Sequence, residues 1–433
     1  LADDLGYGDL GCYGQQYIQT PAIDQLAAEG MRFTQHYAGS TVCAPSRSSL
    51  MTGLHTGHTF IRGNKEIQPE GQYPLEAEAI TVAELLKQAG YITGAMGKWG
   101  LGAPDSEGVP EKQGFDYFFG YNCQREAHHY YPDHLWRNDE KVILHENKGG
   151  KKGVYSHDLI EEEAMNFIRE NKDTTFFLYL PFTIPHADVD VPENWMEPYL
   201  GKFEEEPFSG GHYLPQTTPK AAFAGMVSRL DASVGKITRL VQDLALANNT
   251  IIMFTSDNGP HLEGGAQPEF FNSSGGFKGH KRDLYEGGIR VPFIVRWDGV
   301  IQKGVTNNHI SAFWDMLPTF CELAEMDVPV QTDGISIVPT MTGKDNQKMH
   351  SYLYWEFHEQ GGKQAVRKGK WKGVKLSVFD NPDASIQLFD LENYSLEENN
   401  IASKHSEVVA EIENIMQQAH TESEVFPFFT KSE

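Results

Sequence analysis

The sequence predicts an α/β protein in which helices flank a large, mostly parallel sheet, and a small antiparallel sheet with one helix follows. Helical and strand patterns alternate through most of the chain, which is typical of parallel sheets with helices on both faces. After about Gly343 the pattern changes to short strands separated by turns. The length of 433 residues suits one large domain with a smaller one attached.

Capping and stop signals mark the first two predicted helices. The first helix is predicted between Thr20, a candidate N-cap, and Gly30, a stop signal. Thr81 and Glu84 have the spacing of a capping box, and that helix is predicted to end at Gly90. Further helices are predicted over about 156–171, 219–248 and 408–418.

Short apolar runs bounded by turn residues predict the strands. Those of the large sheet are expected at 91–96, 175–180, 250–255 and 291–296. Those of the small sheet are expected at 352–356, 364–366, 371–376 and 387–389. We therefore predict a main domain over residues 1–343 and a C-terminal α+β subdomain over residues 344–433.

Composition excludes some classes of function. The net charge is −24, from 36 basic and 60 acidic residues, which argues against binding nucleic acid through the overall field of the protein. An anionic ligand would need a local cluster of cations or a metal ion. The longest apolar run ends at Pro181 and is too short to span a membrane. The spacing of the four cysteines matches no zinc motif and no dense disulfide framework.

Four polar motifs lie at the ends of predicted strands. In open α/β sheets, functional groups gather beyond the carboxyl ends of the strands, so we expect these motifs to converge on one crevice. The motifs are Asp3-Asp4, Lys98, Pro185-His186 and Asp257-Asn258.

The segment Cys43-Ala-Pro-Ser-Arg47, followed by a Thr-Gly pair at 52–53, resembles the maturation signature of the formylglycine sulfatases. A lone cysteine before a helix is more often structural. The resemblance implies that Cys43 is oxidised to an aldehyde, whose hydrate attacks sulfur with one hydroxyl and releases sulfate through the other. Arg47 would orient the hydrate on the first turn of the following helix.

The carboxylate motifs resemble the metal-binding set of the same family. Asp3, Asp4, Asp257 and Asn258 match the family's ligands, and formylglycine 43 would complete the shell. Oxygen ligands suit a hard cation, so we expect calcium, with magnesium as the alternative. An Asp-Asp pair by itself would indicate only a solvated turn.

Two lysines and a histidine match the family's remaining catalytic residues. Lys98 and Lys281 match the two sulfate-binding lysines, and together with Arg47 they would hold a tetrahedral anion. His186 matches the histidine that protonates the departing alcohol, a role that suits imidazole near neutral pH. The segment Gly97-Lys-Trp-Gly-Leu-Gly102 departs from the family pattern, because Gly100 stands where a histidine is usual.

The missing histidine leaves the base for sulfate release unassigned. His55, His58, His186 and His280 are candidates, or coordination to the metal acidifies the hydrate sufficiently. We also expect Gly100 to widen the space beside the nucleophile.

Residues of the predicted substrate pocket come from an aromatic and histidine-rich segment, 121–131. Aromatic faces and polar donors suit a sugar ring, so Arg125, His128 and His129 are predicted to contact substrate. The same mixture is also typical of a loop packed on the body of the protein.

The resemblance extends from Asp3 to Asp333-Gly334. It implies an alkaline-phosphatase-like fold and a sulfatase catalytic domain over residues 1–343. It also implies similarity to arylsulfatase A, to N-acetylgalactosamine-6-sulfatase and to bacterial enzymes that act on galactans or glycosaminoglycans. The expected substrate is a sulfated saccharide, with a galacto-configured sugar favoured. Two alternatives stay open, a phosphate or phosphonate monoester hydrolase and a sulfated-glycan binding protein without catalysis.

Partners and location follow from the same resemblance. Maturation would need a formylglycine-generating enzyme or an anaerobic sulfatase-maturing enzyme. We expect no nucleic acid partner and no membrane span, and the oligomeric state stays open. The chain opens at Leu1-Ala-Asp-Asp4 without a preceding apolar strand, so we expect its natural N-terminus to be missing. A periplasmic or extracellular location, with the signal peptide absent from this sequence, is therefore expected.

Overall fold

The structure is a computed structural model that describes residues 1–328 and 331–429. The helices are α1 (Pro21–Ala28), α2 (Cys43–Thr52), α3 (Val82–Gln88), α4 (Ser156–Glu170), α5 (Glu193–Met196), α6 (Pro219–Asp243), α7 (Pro268–Phe271), α8 (Glu286–Ile289), α9 (Met316–Leu323), α10 (Val338–Met341) and α11 (Ser406–Gln418). The strands are β1 (Met31–Tyr37), β2 (Ile92–Lys98), β3 (Tyr117–Tyr121), β4 (His134–Arg137), β5 (Glu140–Ile143), β6 (Phe176–Tyr179), β7 (Ile252–Thr255), β8 (Arg290–Arg296), β9 (Val305–Asn307), β10 (Ser311–Ala312), β11 (Leu353–Phe357), β12 (Lys363–Lys368), β13 (Trp371–Leu376) and β14 (Gln387–Asp390).

Two groups of strands form the large sheet. One has the order β5-β4-β3-β2-β6, and the other has the order β10-β1-β8-β7 with β9 beside β1. Strand β2 is parallel to β3 and β6, and β1 is parallel to β9 and β10. Strand β8 runs antiparallel to both β1 and β7, and β4 runs antiparallel to β3 and β5. The predicted α/β class, with a mostly parallel sheet, is confirmed.

The first three residues join the two groups of strands. Ala2 pairs in parallel with Ser256, just beyond β7. On the other side, the amino group of Leu1 donates to the carbonyl of Leu180, and the N–H of Phe182 donates to the carbonyl of Leu1. The sheet is therefore continuous at the end where the polar motifs lie.

Helices cover both faces of the large sheet. Adjacent residues of a strand point to opposite faces, and β3 shows this directly. Phe119 packs in a core with side chains of α1, α4 and α6, whereas Phe118 packs in a second core with side chains of α2 and α9. Burial of each of these aromatic side chains contributes roughly 1.5–3 kcal/mol to stability. Both cores therefore fix the sheet whose edge carries the polar motifs.

The C-terminal sheet is an antiparallel meander with the order β11-β12-β13-β14. Helix α11 packs on it through Ile412 and Met416, which lie in one buried cluster with Tyr354, Val366 and Leu388. The predicted small antiparallel sheet with a terminal helix is confirmed. The domain division at residues 343 and 344 stays a prediction.

Local signals were correct for one helix start and wrong for another. At α3 the N–H of Thr81 donates to Glu84 Oε2 at 2.9 Å and the N–H of Glu84 donates to Thr81 Oγ1 at 3.2 Å, the predicted capping box. At α1 the side chain of Thr20 does not cap the helix. Its hydroxyl accepts from the N–H of Gly11 instead, because the preceding loop folds back onto it.

The described residues include no helix that combines the length and the apolar character needed for a bilayer crossing. The four cysteines all lie among the described residues and are free thiols.

Candidate active site

Asp3 and Asp4 lie in a cluster of polar side chains beyond the sheet, and both are fully buried. Neighbouring residues of a regular strand would point to opposite faces. Here the chain turns at Asp4, which has a left-handed φ of 60°, a conformation that Asp tolerates better than most residues. Both carboxylates therefore reach the same cluster.

Cys43 is the first residue of α2, and its side chain faces these two carboxylates. Its Sγ lies 3.4 Å from Oδ1 of Asp3 and 3.9 Å from Oδ1 of Asp4. Burial raises the pKa of the Cys43 thiol, although Lys281 and Lys98 oppose this effect. The unmodified Cys43 side chain is therefore a neutral thiol. A neutral thiol is a poor nucleophile, because the reactive form of cysteine is the thiolate.

Arg47, on the same helix, is held in a fixed orientation. Its Nη2 and Nε donate to Oδ2 of Asp257 at 2.8 and 3.1 Å, and its Nη1 donates to the carbonyl of Lys98. Nη2 also lies 3.5 Å from Oδ1 of Asp3. The guanidinium thus joins helix α2 to the end of β2 at Lys98, to Asp257 beyond β7 and to Asp3 beyond the bridge at Ala2.

Each lysine of the cluster is paired with one aspartate. Lys98 Nζ lies 2.7 Å from Oδ2 of Asp3, and Lys281 Nζ lies 2.7 Å from Oδ2 of Asp4. Three buried cations thus balance three buried carboxylates, and each charge has a partner that offsets its removal from water. The six residues are Arg47, Lys98, Lys281, Asp3, Asp4 and Asp257.

His186 lies beside the Lys281–Asp4 pair. Its Nε2 is 2.9 Å from Nζ of Lys281 and 3.3 Å from Oδ2 of Asp4, and its Nδ1 contacts the carbonyl of Ala187. Burial and the positive charge of Lys281 hold the pKa of His186 well below its usual range. The imidazole is therefore neutral, with the proton on Nδ1 and a lone pair on Nε2.

The oxygen atoms of the cluster fit a divalent cation. Asn258 Nδ2 donates to Oδ1 of Asp4 at 2.7 Å, which fixes the amide orientation and leaves Oδ1 of Asn258 buried without a hydrogen-bond partner. One ligand atom from each of Asp3, Asp4, Cys43 and His186 lies within 4.8 Å of the others. A buried, unpartnered oxygen beside two carboxylates is the donor set that calcium or magnesium prefers.

The expectation that Gly100 widens the space beside the nucleophile is wrong. Gly100 has a φ of 78°, and a Cβ built on it would lie only 2.9 Å from Cγ of Gln124. The Gln124 side chain fills this volume and donates from Nε2 to Oδ1 of Asn64, which also accepts the N–H of Ala44. Two amide side chains thus support the N-terminus of α2.

The structure separates the four histidines that could replace the missing base. His186 alone among them shares the cluster with Cys43. His55 and His58 stack on each other and contact Asp333, a separate group. His280 is partly exposed, and its Nδ1 lies 3.0 Å from the carbonyl of Lys281.

The predicted substrate residues occupy different positions. His128 stacks on His186, with ring centroids 4.4 Å apart. His129 points away to Asp188, with Nδ1 and Oδ2 2.7 Å apart, and this hydrogen bond raises its pKa. Arg125 lies at the surface, paired with Glu66 at 3.2 Å.

Sequence reasoning missed several residues near the cluster. His261 is buried, stacks near His186 with centroids 5.6 Å apart, and lies 3.5 Å from Glu263. Its position three residues after Asn258 was an available signal. Tyr213 gave no signal, because it comes from a long loop without a motif. Gln124 gave none either, because its role depends on a contact with Gly100.

Two family models match the chain. One is described as Sulfatase and matches residues 1–326. The other is described as N-sulphoglucosamine sulphohydrolase, C-terminal, and matches residues 276–422.

Individual proteins are also similar to this chain over most of its length. An N-acetylgalactosamine-6-O-sulfatase of Bacteroides thetaiotaomicron is 29% identical, over 97% of this chain and 92% of the relative. Human arylsulfatase A is 33% identical, over 86% of this chain and 73% of the relative. Among solved structures, Ps i-CgsB in complex with k-i-k-neocarrahexaose superposes with a TM-score of 0.80 at 28% identity, over 96% of this chain and 91% of that chain.

Proposed function

The chain belongs to the sulfatase family and is a sulfuric ester hydrolase, and from that premise we propose that it hydrolyses a carbohydrate sulfate ester with formylglycine at position 43 and a bound calcium ion. One observation carries the proposal. The Cys43 side chain lies within 3.4 Å of Asp3 in a buried cluster that also holds two lysines and an arginine. The Sγ atom of the unmodified Cys43 stands in for the hydroxyls that hydrated formylglycine would have.

Asp3, Asp4, Asp257 and Asn258 would hold the calcium ion. The fit rests on the unpartnered Oδ1 of Asn258 and on the carboxylate oxygens beside it. When bound, the ion would polarise the sulfuryl oxygens and lower the pKa of a coordinated hydroxyl. Magnesium has the same preference for oxygen but demands a stricter geometry, so calcium is the better match for this asymmetric set.

The cations of the cluster would bind the sulfuryl group. Lys98 and Lys281 both have ammonium groups that now contact carboxylates. Once those carboxylates bind a cation, the ammonium groups can donate to oxygens of the substrate instead. Arg47 keeps its two bonds to Asp257 and therefore positions the side chain at residue 43.

Formylglycine, when hydrated, supplies one hydroxyl that attacks sulfur and a second whose deprotonation later releases sulfate. Hydrolysis would break the bond between sulfur and the bridging oxygen, and the departing alkoxide of a sugar would need a proton. His186 is neutral, with Nε2 facing the ammonium of Lys281. We infer that the proton between the Lys281 ammonium and the His186 imidazole is transferred to the leaving oxygen.

His186 also suits the reverse transfer. Once the Lys281–His186 pair has lost a proton to the leaving oxygen, the lone pair on Nε2 of His186 can accept the proton of the second hydroxyl. It shares the cluster with position 43, unlike the other three candidates named for this role.

The proposed substrate is a sulfated saccharide with a galacto-configured unit, such as galactose or N-acetylgalactosamine. Support comes from the relative in Bacteroides that is named an N-acetylgalactosamine-6-O-sulfatase and from the k-i-k-neocarrahexaose in complex with Ps i-CgsB. A maturation enzyme would act on Cys43 before the chain buries it, because only 2% of this residue is exposed. This requirement fits maturation and export as coupled events, with a periplasmic or extracellular enzyme.

The proposal is tested with enzyme co-expressed with a formylglycine-generating enzyme and supplied with calcium. Sulfate release is measured on defined sulfated galactose, N-acetylgalactosamine and glucosamine units, and on an aryl sulfate and an aryl phosphate. We expect release from at least one galacto-configured sugar, with conversion of Cys43 seen by mass spectrometry of the tryptic peptide. Turnover of the aryl phosphate in preference to all sulfates would refute the proposal.

A further inference from the structure

Beside His186, the structure holds aromatic rings that the proposed chemistry leaves unused. The ring of His128 stacks on that of His186, with centroids 4.4 Å apart and planes inclined by 12°. The ring of Tyr213 lies 5.5 Å from His128 and 6.2 Å from His186. The ring of His212 lies 4.8 Å from Tyr213 and 6.3 Å from His128. We propose that His128, Tyr213 and His212, here called the ring wall, bind the pyranose ring that carries the sulfate ester.

The ring wall leads outward from the sulfate-binding cluster. His186 is buried, His128 and Tyr213 are half-buried, and His212 is exposed. A sugar sulfate would have its sulfuryl group at the buried end, near His186. Its sugar ring would lie beside the half-buried rings of His128 and Tyr213. This inference deepens the proposed function and rests on it, since it assumes that the leaving group is a sugar.

A short hairpin carries two members of the ring wall. Phe208 and Gln216 exchange backbone hydrogen bonds of 2.8 and 3.0 Å, which close the turn that contains His212 and Tyr213. The Gln216 side chain donates from Nε2 to the carbonyl of Val189 at 2.9 Å. The hairpin is thus fastened to the segment that follows His186, although it belongs to a long connection between α5 and α6.

Asp188 joins the two segments that supply the ring wall. Its backbone N–H donates to the carbonyl of His128 at 2.8 Å. Its buried carboxylate accepts from the N–H of Leu214 at 2.8 Å through Oδ1 and contacts Nδ1 of His129 at 2.7 Å through Oδ2. Asp188 is therefore a positioning residue, and this contact accounts for His129 pointing away from the cluster.

The ring wall is uncharged at neutral pH in its half-buried part. Burial lowers the pKa of His128 to about 2, with the cations Lys98 and Lys281 contributing, so its imidazole is neutral. Burial raises the pKa of Tyr213, so its phenol keeps its proton. Neutral aromatic faces pack against the apolar C–H face of a sugar. The hydroxyl of the phenol and the nitrogen atoms of the imidazole can hydrogen-bond to the hydroxyls of the sugar.

The test uses the matured enzyme with calcium and the sulfated sugar that it cleaves fastest, with 4-nitrophenyl sulfate as the comparison substrate. For Tyr213→Ala we expect kcat/KM on the sugar to fall by roughly 10–100-fold, mainly through KM, because binding to the ring is lost. For 4-nitrophenyl sulfate the loss should be much smaller. Tyr213→Phe keeps the ring and should lose less than Tyr213→Ala.

Asp188 provides a second test. Asp188→Ala should raise KM for the sugar, and Asp188→Asn should restore part of the loss, because an amide can still bond to Leu214 and His129. Tyr394→Ala, at an exposed tyrosine of the C-terminal subdomain, is the matched control and should match the wild type. Circular dichroism and thermal unfolding check that each variant is folded.

Equal losses on both substrates, or no loss on the sugar for Tyr213→Ala and Tyr213→Phe, would overturn the ring wall while leaving the proposed function intact. If the wild-type enzyme cleaves 4-nitrophenyl sulfate but no sugar sulfate, the proposed function fails first and the ring wall fails with it. The wild-type substrate panel therefore separates the two failures.

Discussion

The ammonium nitrogen of Lys281 lies 2.9 Å from Nε2 of His186. Because the contact of Nδ1 with the carbonyl of Ala187 requires its proton there, Nε2 is the acceptor. A histidine in this state cannot protonate a leaving group alone, so the acid is the pair and not the imidazole by itself. Asp4, which contacts both groups, joins the pair to the proposed metal site.

Replacing His186 by alanine should therefore affect sugar sulfates more than aryl sulfates. A sugar alkoxide is a poor leaving group and needs the proton, whereas nitrophenolate leaves without it. We expect kcat on the sugar to fall by ~10²–10⁴-fold, the usual contribution of general acid catalysis, with a smaller loss on 4-nitrophenyl sulfate. Steady-state kinetics on both substrates measure this, and equal losses would contradict the proposed acid.

Replacing Cys43 by serine should abolish turnover and leave the fold intact. Serine has nearly the same volume, but it cannot supply the second hydroxyl that releases sulfate. Sulfate release and circular dichroism measure the two effects. Cys321→Ser, at a buried cysteine of α9, is the matched control and should keep its activity. A rate near that of the wild type for Cys43→Ser would refute the nucleophile.

Replacing Asn258 by alanine should weaken calcium binding. Binding to the native state alone stabilises a protein by ~2.7 kcal/mol when the ligand is at a hundred times its Kd. We expect the wild type to gain thermal stability on titration with calcium and to lose it with a chelator, and the Asn258→Ala curve to shift to higher calcium concentrations. Asn399→Ala, at an exposed position, should titrate like the wild type. This readout does not depend on turnover or on formylglycine.

Restoring the family's histidine at Gly100 should harm this protein. The left-handed backbone costs roughly 1–2 kcal/mol for a residue with a side chain, and the new Cβ would lie 2.9 Å from Gln124. Gly343→His has a similar φ, 71°, but meets no atom within 4 Å, so it isolates the backbone cost. We expect Gly100→His to lower the unfolding free energy more than Gly343→His does.

A second substitution tests the cause of that difference. If the clash with Gln124 is responsible, the double variant Gly100→His, Gln124→Gly should recover part of the lost stability. Chemical denaturation of the single and double variants gives the coupling energy. Additive effects of the two substitutions would show that Gln124 does not limit the space for a side chain at position 100.

Replacing Glu356 by glutamine should destabilise the junction of the C-terminal sheet with the main domain. The buried Glu356 carboxylate contacts His358, His420 and Arg62, at 2.8–3.2 Å. Despite burial, which acts in the opposite direction, the hydrogen bonds from His358 and His420 and the charge of Arg62 hold its pKa at about 2, below the ordinary 4.5. A difference of this size corresponds to roughly 3 kcal/mol of stability at neutral pH.

The contribution of Glu356 to the free energy of unfolding should decrease as the pH falls. A depressed carboxyl pKa contributes stability that is complete above the ordinary value of 4.5 and is lost as the pH falls towards about 2. The difference in unfolding free energy between the wild type and Glu356→Gln should therefore be largest at neutral pH and shrink in acid. Glu398→Gln, at an exposed glutamate, serves as the control. A difference that does not vary with pH would contradict the assignment.

Most secondary structure elements could be predicted from local patterns. Helix α4 and strand β13, for example, follow from residues that are neighbours in the sequence, since hydrophobic periodicity and stop signals act within a few residues. Thr81 illustrates a correct local signal. Thr20 illustrates a wrong one, because a loop from outside its helix used its hydroxyl.

By itself, the sequence identified members of the cluster, because Asp3, Cys43, Lys98 and Asp257 lie in motifs whose order is specific. Only the tertiary structure decided the space around them. Gln124 fills the volume at Gly100, and Tyr213 reaches His186 from a loop without a motif. Contacts of this kind join residues far apart in the chain, and they depend on the packing of whole segments, which no local pattern encodes.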